Sequence, residues 1–231
     1  MIADLRALEP PQLESFTNSL VEQVVAAVTD KIPHLESSLA VAELTVALHY
    51  VLNTPEDVLV WDVGHQGYIH KALTGRMEEL VNMRKPGGLS GFLKRDESPY
   101  DFFGAGHAST SISALAGVCL ADQVSGKSRQ RVAVIGDGSL TGGQSFEALN
   151  HLGSLGADAL VIINDNEVSI DATIGALHHQ QSYGTYVQSL GWQYTFLEQG
   201  NDVRALVEAL QHVLAQPGPQ TLHIKTKRPD L

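Results

Sequence analysis

The sequence predicts an α/β domain with a twisted, mostly parallel sheet and helices on both of its faces. Short runs rich in Val, Ile and Leu alternate with segments whose apolar residues recur every three or four positions, the patterns of buried strands and amphipathic helices. Strands that are apolar on both faces are typical of a parallel sheet covered on two sides. With 231 residues and 43% hydrophobic composition, the chain is expected to form a single domain over residues 1–231, with residues 1–33 as a helical lead-in.

Each predicted element follows from a local pattern. Strands are predicted over residues 58–63, 131–135, 159–163, 192–196 and 221–226. Helices are predicted over residues 11–29, 38–51, 111–124, 144–151 and 203–214. Residues 84–106 contain several glycines and mixed charges without a period, so they are predicted to form a long loop, and loops of that length are usually functional or disordered.

The charge balance excludes some classes of partner. The formal charge is −11, from 15 basic and 26 acidic residues, whereas a nucleic-acid or anionic-membrane surface needs a basic face. No stretch approaches the roughly 20 apolar residues of a membrane span, and residues 1–9 lack the apolar core of a signal peptide. The single cysteine, Cys119, is expected to pack inside a helix and excludes a disulfide framework within the chain. We therefore expect a cytoplasmic protein with no nucleic-acid or membrane partner.

Polar residues follow two successive predicted strands. Gly136-Asp137-Gly138 ends the strand over residues 131–135, and Asn166 follows the strand over residues 159–163. The carboxyl ends of parallel strands share one edge, so Asp137 and Asn166 are expected to meet there and to offer oxygen ligands to Mg²⁺. The glycines would let the backbone approach a diphosphate, and the helix start after Gly138 would point N–H groups at it. The alternative is two ordinary strand-to-helix turns.

Several longer motifs make the pattern more specific, and together they resemble the 1-deoxy-D-xylulose-5-phosphate synthase family, whose members use thiamine diphosphate. The match runs in register from about residue 34 to residue 175. It rests on WDVGHQ (61–66), HKALTGR (70–76), GGLSGF (87–92), GHASTSIS (106–113), FEALNH (146–151) and NDNEVSI (164–170). The resemblance implies the thiamine diphosphate-binding fold of the diphosphate-binding type, with thiamine diphosphate and Mg²⁺ as cofactors.

The resemblance also implies roles for individual residues. The side chains of Asp137 and Asn166 and the carbonyl of Val168 would bind Mg²⁺. His34 and His65 would face the substrate and the reacting end of the cofactor, with His107 near the thiazolium. The full set of implied cofactor contacts is Gly106, His107, Ser109, Gly136, Asp137, Gly138, Ser139 and Asn166. A histidine at a strand end suits proton transfer or phosphate binding, although each could instead be a hydrogen-bonded structural residue.

Three features depart from the family pattern. Only a short stretch separates Gly175 from the strand near Trp192, where the family has a long segment, so the cover of the site is expected to be reduced. Asn201 follows Gln199-Gly200 where the family has Asp-Gly-His, and His34 follows Ile32-Pro33 instead of two glycines. The family continues beyond this stretch into a pyrimidine-binding domain and a C-terminal domain, which are expected to be absent here.

Two functional hypotheses follow from the resemblance. The first is the diphosphate-binding subunit of a split carboligase of the transketolase class, acting on small molecules: a 2-oxo acid such as pyruvate and an aldehyde such as glyceraldehyde 3-phosphate. A separate chain would supply the pyrimidine-binding domain, in a homodimer or an α₂β₂ complex. The second is a non-catalytic remnant or excised domain that acts as an interaction module.

Overall fold

The computed structural model describes residues 1–28, 32–166, 175–179 and 182–229. Within these residues a five-stranded sheet has the order β1-β2-β3-β5-β4, and every neighbouring pair is parallel. The strands are β1 (Val58–Trp61), β2 (Arg131–Gly136), β3 (Ala159–Asp165), β4 (Gln193–Leu197) and β5 (Pro219–Lys225). All five overlap the ranges predicted from the sequence. β1, β2, β3 and β5 are largely buried, as expected in a parallel sheet covered on both faces, whereas β4 lies at the edge of the sheet and is partly exposed.

The helices connect these strands and also precede the first of them. They are α1 (Ile2–Arg6), α2 (Leu13–Ala27), α3 (Leu35–Leu39), α4 (Ala42–Val51), α5 (Tyr68–Lys71), α6 (Ser111–Ser125), α7 (Asp137–Leu140), α8 (Gly143–Leu155), α9 (Ala176–His179), α10 (Tyr183–Ser189) and α11 (Val203–Leu214). Short 3₁₀ segments occupy Pro10–Gln12 and Glu78–Asn82, and a π-type segment occupies Ala72–Arg76. No helix of the described residues is long and apolar enough to cross a membrane.

Two apolar cores lie on opposite faces of the sheet. Alternate strand residues such as Trp61 and Val134 pack against α2, α4 and α11 on one face. Their neighbours Val60 and Ile135 pack against α6, α8 and α10 on the other. Because successive side chains of a strand point to opposite faces, this division confirms the predicted parallel sheet with helices on both sides.

One predicted helix, over residues 38–51, is divided in the structure. α3 and α4 are separated at Val41, whose backbone is not helical, with φ −115° and ψ 22°. Ser38, near the end of α3, donates its hydroxyl to the carbonyl of His65 at 2.9 Å. This contact ties α3 to the loop after β1, and the break lets α4 run separately into the core.

The loop over residues 84–106 contains neither helix nor strand, as predicted, but its ion pairs are buried. Asp101 accepts two hydrogen bonds from Arg76, at 2.8 and 2.9 Å, and lies 3.1 Å from Nε2 of His70. Lys71 pairs with Glu97 on the same loop. The HKALTGR motif therefore anchors this loop to α5.

Candidate active site

A cleft of about 820 Å³ lies at the carboxyl edge of the sheet, where β1, β2 and β3 end. Four chain segments form its walls, together with Asn166 after β3 and Arg228 after β5. The lining residues are Ile32, Pro33, His34, Leu35, Glu36, Ser37, Val63, His65, Gln66, Gly106, Ala108, Ser109, Gly136, Asp137, Gly138, Ser139, Thr141, Gly142, Asn166 and Arg228. Ligands of parallel α/β proteins bind at this edge of the sheet.

Asp137 and Asn166 both line this cleft, as the strand arrangement predicts. β2 and β3 are adjacent, with Gly136 opposite Asn164, so the residues that follow each strand meet at one edge. Asp137 is 3% exposed and is the first residue of the short helix α7. The predicted metal contact of Val168 lies outside the described residues.

The other polar residues at the end of β3 turn away from the cleft towards β5. Asn164 accepts a hydrogen bond from the hydroxyl of Thr226 at 2.6 Å. Asp165 lies 3.0 Å from Nε2 of His223, whose Nδ1 is 2.7 Å from the hydroxyl of Tyr194. Of the Asn-Asp-Asn sequence, only Asn166 lines the cleft, and its two neighbours fix the strand from which it projects.

Small residues form the wall beside Asp137. A Cβ atom on Gly142 would lie 2.2 Å from Oγ of Ser109, so only glycine fits there. Ser109 donates its hydroxyl to the carbonyl of Ser139 at 2.7 Å, which joins the loop before α6 to α7. This glycine and serine surface lets a ligand approach the backbone closely.

Two histidines also line the cleft. The rings of His34 and His65 are 5.4 Å apart and nearly perpendicular. Burial lowers the pKa of His65 to about 4, with the nearby His34 and Arg228 acting in the same direction. Burial, Arg84 and Arg228 also lower the pKa of His34. Both rings are therefore neutral at physiological pH.

The buried Nδ1 of His65 has no hydrogen-bond partner among the residues that the structure describes. A buried polar atom without a partner is costly, and at a functional site it is explained by a ligand that completes it. A neutral imidazole can donate or accept a hydrogen bond at this atom, depending on its tautomer. His65 is thus equipped to contact a polar group inside the cleft.

Three non-glycine residues of the cleft have left-handed backbone conformations. His34 and Ser109 each have φ 69°, and Val63 has φ 59°. This conformation is especially unfavourable for a β-branched residue such as Val63. Strained backbone of this kind is found mainly at ligand-binding and catalytic sites, where the surrounding structure holds it in place.

His107 is placed differently from the other predicted histidines. Its side chain is exposed and does not line the cleft, whereas its neighbours Gly106 and Ala108 do. Its carbonyl accepts a hydrogen bond from the hydroxyl of Thr110 at 3.0 Å. His107 therefore lies at the rim, and the backbone beside it contributes to the wall.

The structure adds residues that the sequence did not single out. Arg228 and Glu36 line the cleft, and Nδ1 of His178 lies 3.9 Å from the carboxylate of Asp137. Arg228 follows a strand end, a position at which the topology alone makes a cleft contact plausible. Nothing in the sequence indicated that His178 would lie near Asp137, because no local pattern links α9 with α7.

The oxygen ligands suit a divalent cation that is completed by a bound anion. No group of three or more His, Cys, Asp or Glu side chains that could hold a metal occurs within residues 1–28, 32–166, 175–179 and 182–229. Asp137 and Asn166 supply one carboxylate and one amide oxygen. Mg²⁺ typically binds through one or two carboxylates, with phosphate oxygens and water at its remaining positions. The residues present therefore fit a metal held jointly by protein and diphosphate.

Solved structures place this architecture in a known class. Transketolase from Campylobacter jejuni superposes with a TM-score of 0.81, over 95% of this chain and 38% of that one, at 19% sequence identity. Transketolase from Leishmania mexicana gives a TM-score of 0.76, with 95% of this chain and 37% of that one covered, at 23% identity. The chain has the fold of a transketolase domain.

Sequence comparisons define the family more closely. A family model described as 1-deoxy-D-xylulose-5-phosphate synthase matches residues 1–185. The synthase of that name from Alkalilimnicola ehrlichii is 44% identical over 96% of this chain, and that from Thioalkalivibrio sulfidiphilus is 42% identical over 98%. The chain belongs to the 1-deoxy-D-xylulose-5-phosphate synthase family and corresponds to its N-terminal domain.

The chain spans 42% of the length of each of these two relatives. The alignments extend over 264 and 267 positions, more than the 231 residues of the chain. The relatives therefore carry additional residues inside the matched stretch.

Proposed function

We propose that this chain is the diphosphate- and Mg²⁺-binding subunit of a thiamine diphosphate-dependent carboligase of the transketolase class. The observation that carries the proposal is the cleft in which Asp137 and Asn166 meet beside a wall of glycine and serine. Family membership supports the same cofactor. Its substrates would be a 2-oxo acid such as pyruvate and an aldehyde such as glyceraldehyde 3-phosphate, converted in the cytoplasm.

In this proposal Asp137 and Asn166 hold Mg²⁺, with the carbonyl of Val168 as a third protein ligand. Gly136, Gly138 and Ser139 contact the diphosphate on one side, and Gly106 and Ser109 contact it on the other. The metal explains how a chain with a formal charge of −11 binds a polyanion. When bound, thiamine diphosphate supplies the chemistry that breaks and forms carbon–carbon bonds, and the protein supplies binding and orientation.

The two histidines of the cleft would serve the substrate. His65 is neutral, and its buried Nδ1 has no partner among the described residues. It would form a hydrogen bond with the oxygen of the substrate at which the reaction takes place. His34, perpendicular to it at 5.4 Å, contacts the same substrate from the loop before α3. His107, at the rim, would lie near the thiazolium of the bound cofactor when a second chain covers the site.

We further propose that a second chain supplies the pyrimidine-binding domain and covers the cleft. Glu36 is a glutamate of the cleft lining, on the same chain segment as His34. By resemblance to the family, a glutamate that activates the cofactor would lie on the pyrimidine-binding domain. The assembly would then be a homodimer of this chain or an α₂β₂ complex with its partner.

Calorimetric titration with thiamine diphosphate tests the binding site. We expect weak binding by the isolated chain that requires Mg²⁺ and disappears with EDTA. Tight binding that is unaffected by EDTA would contradict the role given to Asp137 and Asn166. Absence of binding even with a pyrimidine-domain partner would favour a non-catalytic remnant.

A further inference from the structure

The wall beside Asp137 that includes Ser109, Ser139 and Gly142 is here called the diphosphate wall. We infer that Asp62 is a positioning residue that sets the shape of this wall, an inference that rests on the wall's proposed function. Asp62 follows β1 and is 4% exposed. It does not itself line the cleft, but it holds Ser109 by a hydrogen bond, and Ser109 in turn holds Ser139; both serines line the cleft.

The carboxylate of Asp62 holds the loop that leads into α6. Oδ1 accepts the backbone N–H of Ser109 at 2.9 Å, and Oδ2 accepts that of Ser111 at 3.0 Å. These partners are 47 and 49 residues away in sequence. Both oxygens are thus used in hydrogen bonds between an anion and backbone amides, which are stronger than neutral ones.

The constraint passes from Ser109 to the loop of the predicted metal ligand. Ser109 is held at φ 69°, a conformation that is unfavourable for serine without external support. Its hydroxyl donates to the carbonyl of Ser139, which also accepts the hydroxyl of Ser145 at 3.1 Å. Gly142 packs so closely against Ser109 that no side chain fits between them.

Asp62 is also fixed to the sheet. Its backbone N–H donates to the carbonyl of Val134 in β2 at 2.8 Å, and its carbonyl accepts the N–H of Gly64 at 2.6 Å. The same residue therefore connects the ends of β1 and β2 with both sides of the diphosphate wall. Val63, the strained cleft residue, follows it directly.

The test is Asp62→Asn, which keeps the side-chain size but replaces one acceptor oxygen with an NH₂ group. The NH₂ group would face a backbone N–H, so one of the two amides loses its partner and Ser109 leaves its conformation. We expect Asp62→Asn to weaken Mg²⁺-dependent binding of thiamine diphosphate about tenfold or more. Amide hydrogen exchange in residues 106–113 should become faster.

Asp122→Asn is a matched control on α6, the helix whose first residue is held by Asp62. Asp122 is likewise buried, at 2% exposed, and pairs with Arg129 and Arg131 near the other end of α6, away from the cleft. We expect this variant to lose thermal stability while retaining wild-type cofactor affinity. The pair separates a positioning effect from general destabilisation.

Two outcomes distinguish the inference from the proposal beneath it. If the wild-type chain binds no thiamine diphosphate with Mg²⁺, with or without a pyrimidine-domain partner, the proposed function fails. If the wild type binds but Asp62→Asn binds equally well, or no worse than Asp122→Asn, the positioning role of Asp62 is wrong.

Discussion

His65 is neutral at physiological pH because the fold buries its ring beside two other groups that carry or can acquire positive charge. Its pKa falls to about 4, from an ordinary value of 6.5, with burial as the largest cause. The unfolded chain takes up this proton as the pH falls through 6.5, whereas the folded chain does so only near pH 4. The unfolded state therefore binds more protons in this window, and stability present above pH 6.5 is lost as the pH falls.

This linkage predicts the behaviour of His65→Gln. Between about pH 7.5 and about pH 5, the lowered pKa of His65 should reduce the free energy of unfolding of the wild type by about 2 kcal/mol. The variant should not show this loss. Urea unfolding at about pH 7.5 and about pH 5 measures the difference. His151→Gln, which changes an exposed histidine of α8, should retain the wild-type pH dependence. Equal pH dependence in the wild type and His65→Gln would contradict the lowered pKa.

Asp137 carries the second prediction at this scale. Asp137→Ala removes the anionic ligand proposed for Mg²⁺ and leaves the amide of Asn166 as the remaining side-chain oxygen of the pair. We expect Mg²⁺-dependent binding of thiamine diphosphate to fall below detection in calorimetry. Asp96→Ala removes the same charge from an exposed position and should bind as the wild type does. Cofactor binding that survives in Asp137→Ala would show that the metal is held elsewhere.

At the scale of the elements, a buried network of ion pairs and hydrogen bonds attaches the 84–106 loop to α5 and to Arg76. His49 and His70 are both fully buried, and Nε2 of His49 lies 2.9 Å from Nδ1 of His70. Burial lowers the pKa of each histidine. Burial alone would raise the pKa of Asp101, but hydrogen bonds from His70 and Arg76 hold it well below its usual range. The loop is therefore attached through an ionised carboxylate.

Asp101→Ala should consequently destabilise the protein by about 3 kcal/mol, because it leaves the buried guanidinium of Arg76 without its main partner. Chemical denaturation measures this change, and faster hydrogen exchange should be confined first to residues 84–106. Asp96→Ala, on the same loop but exposed, should stay within about 0.5 kcal/mol of the wild type. A small effect of Asp101→Ala would show that the loop is held by its apolar contacts instead.

The strands and the meeting of Asp137 with Asn166 could be predicted because each depends on local patterns and on one topological rule. Parallel strands that end in polar residues bring those residues to one edge whatever the details of the packing. The role of Asp62 could not be predicted, since its partners are 47 and 49 residues away. Nor could the break at Val41, because the apolar residues on both sides of it continue one helical pattern.

At the scale of the whole molecule, the cleft lies at an open edge of the sheet, with His107 and Ala108 exposed at its rim. In the proposed enzyme a pyrimidine-binding domain covers this edge, which would then be an interface. We expect self-association to a dimer, or a larger complex with a pyrimidine-domain chain. Light scattering across micromolar concentrations measures both. A strictly monomeric chain that does not respond to such a partner would contradict the proposed assembly.

The most direct test of the central claim is an assay of carboligation with pyruvate and glyceraldehyde 3-phosphate, in the presence of thiamine diphosphate and Mg²⁺. The isolated chain should show no turnover, because a missing general acid or base typically lowers the rate by a factor of roughly 10² to 10⁴ and unheld reactants lower it further. Activity should appear when a pyrimidine-domain chain is added, and it should be lost again with His65→Ala or Asp137→Ala. Steady turnover by the isolated, homogeneous chain would contradict the account.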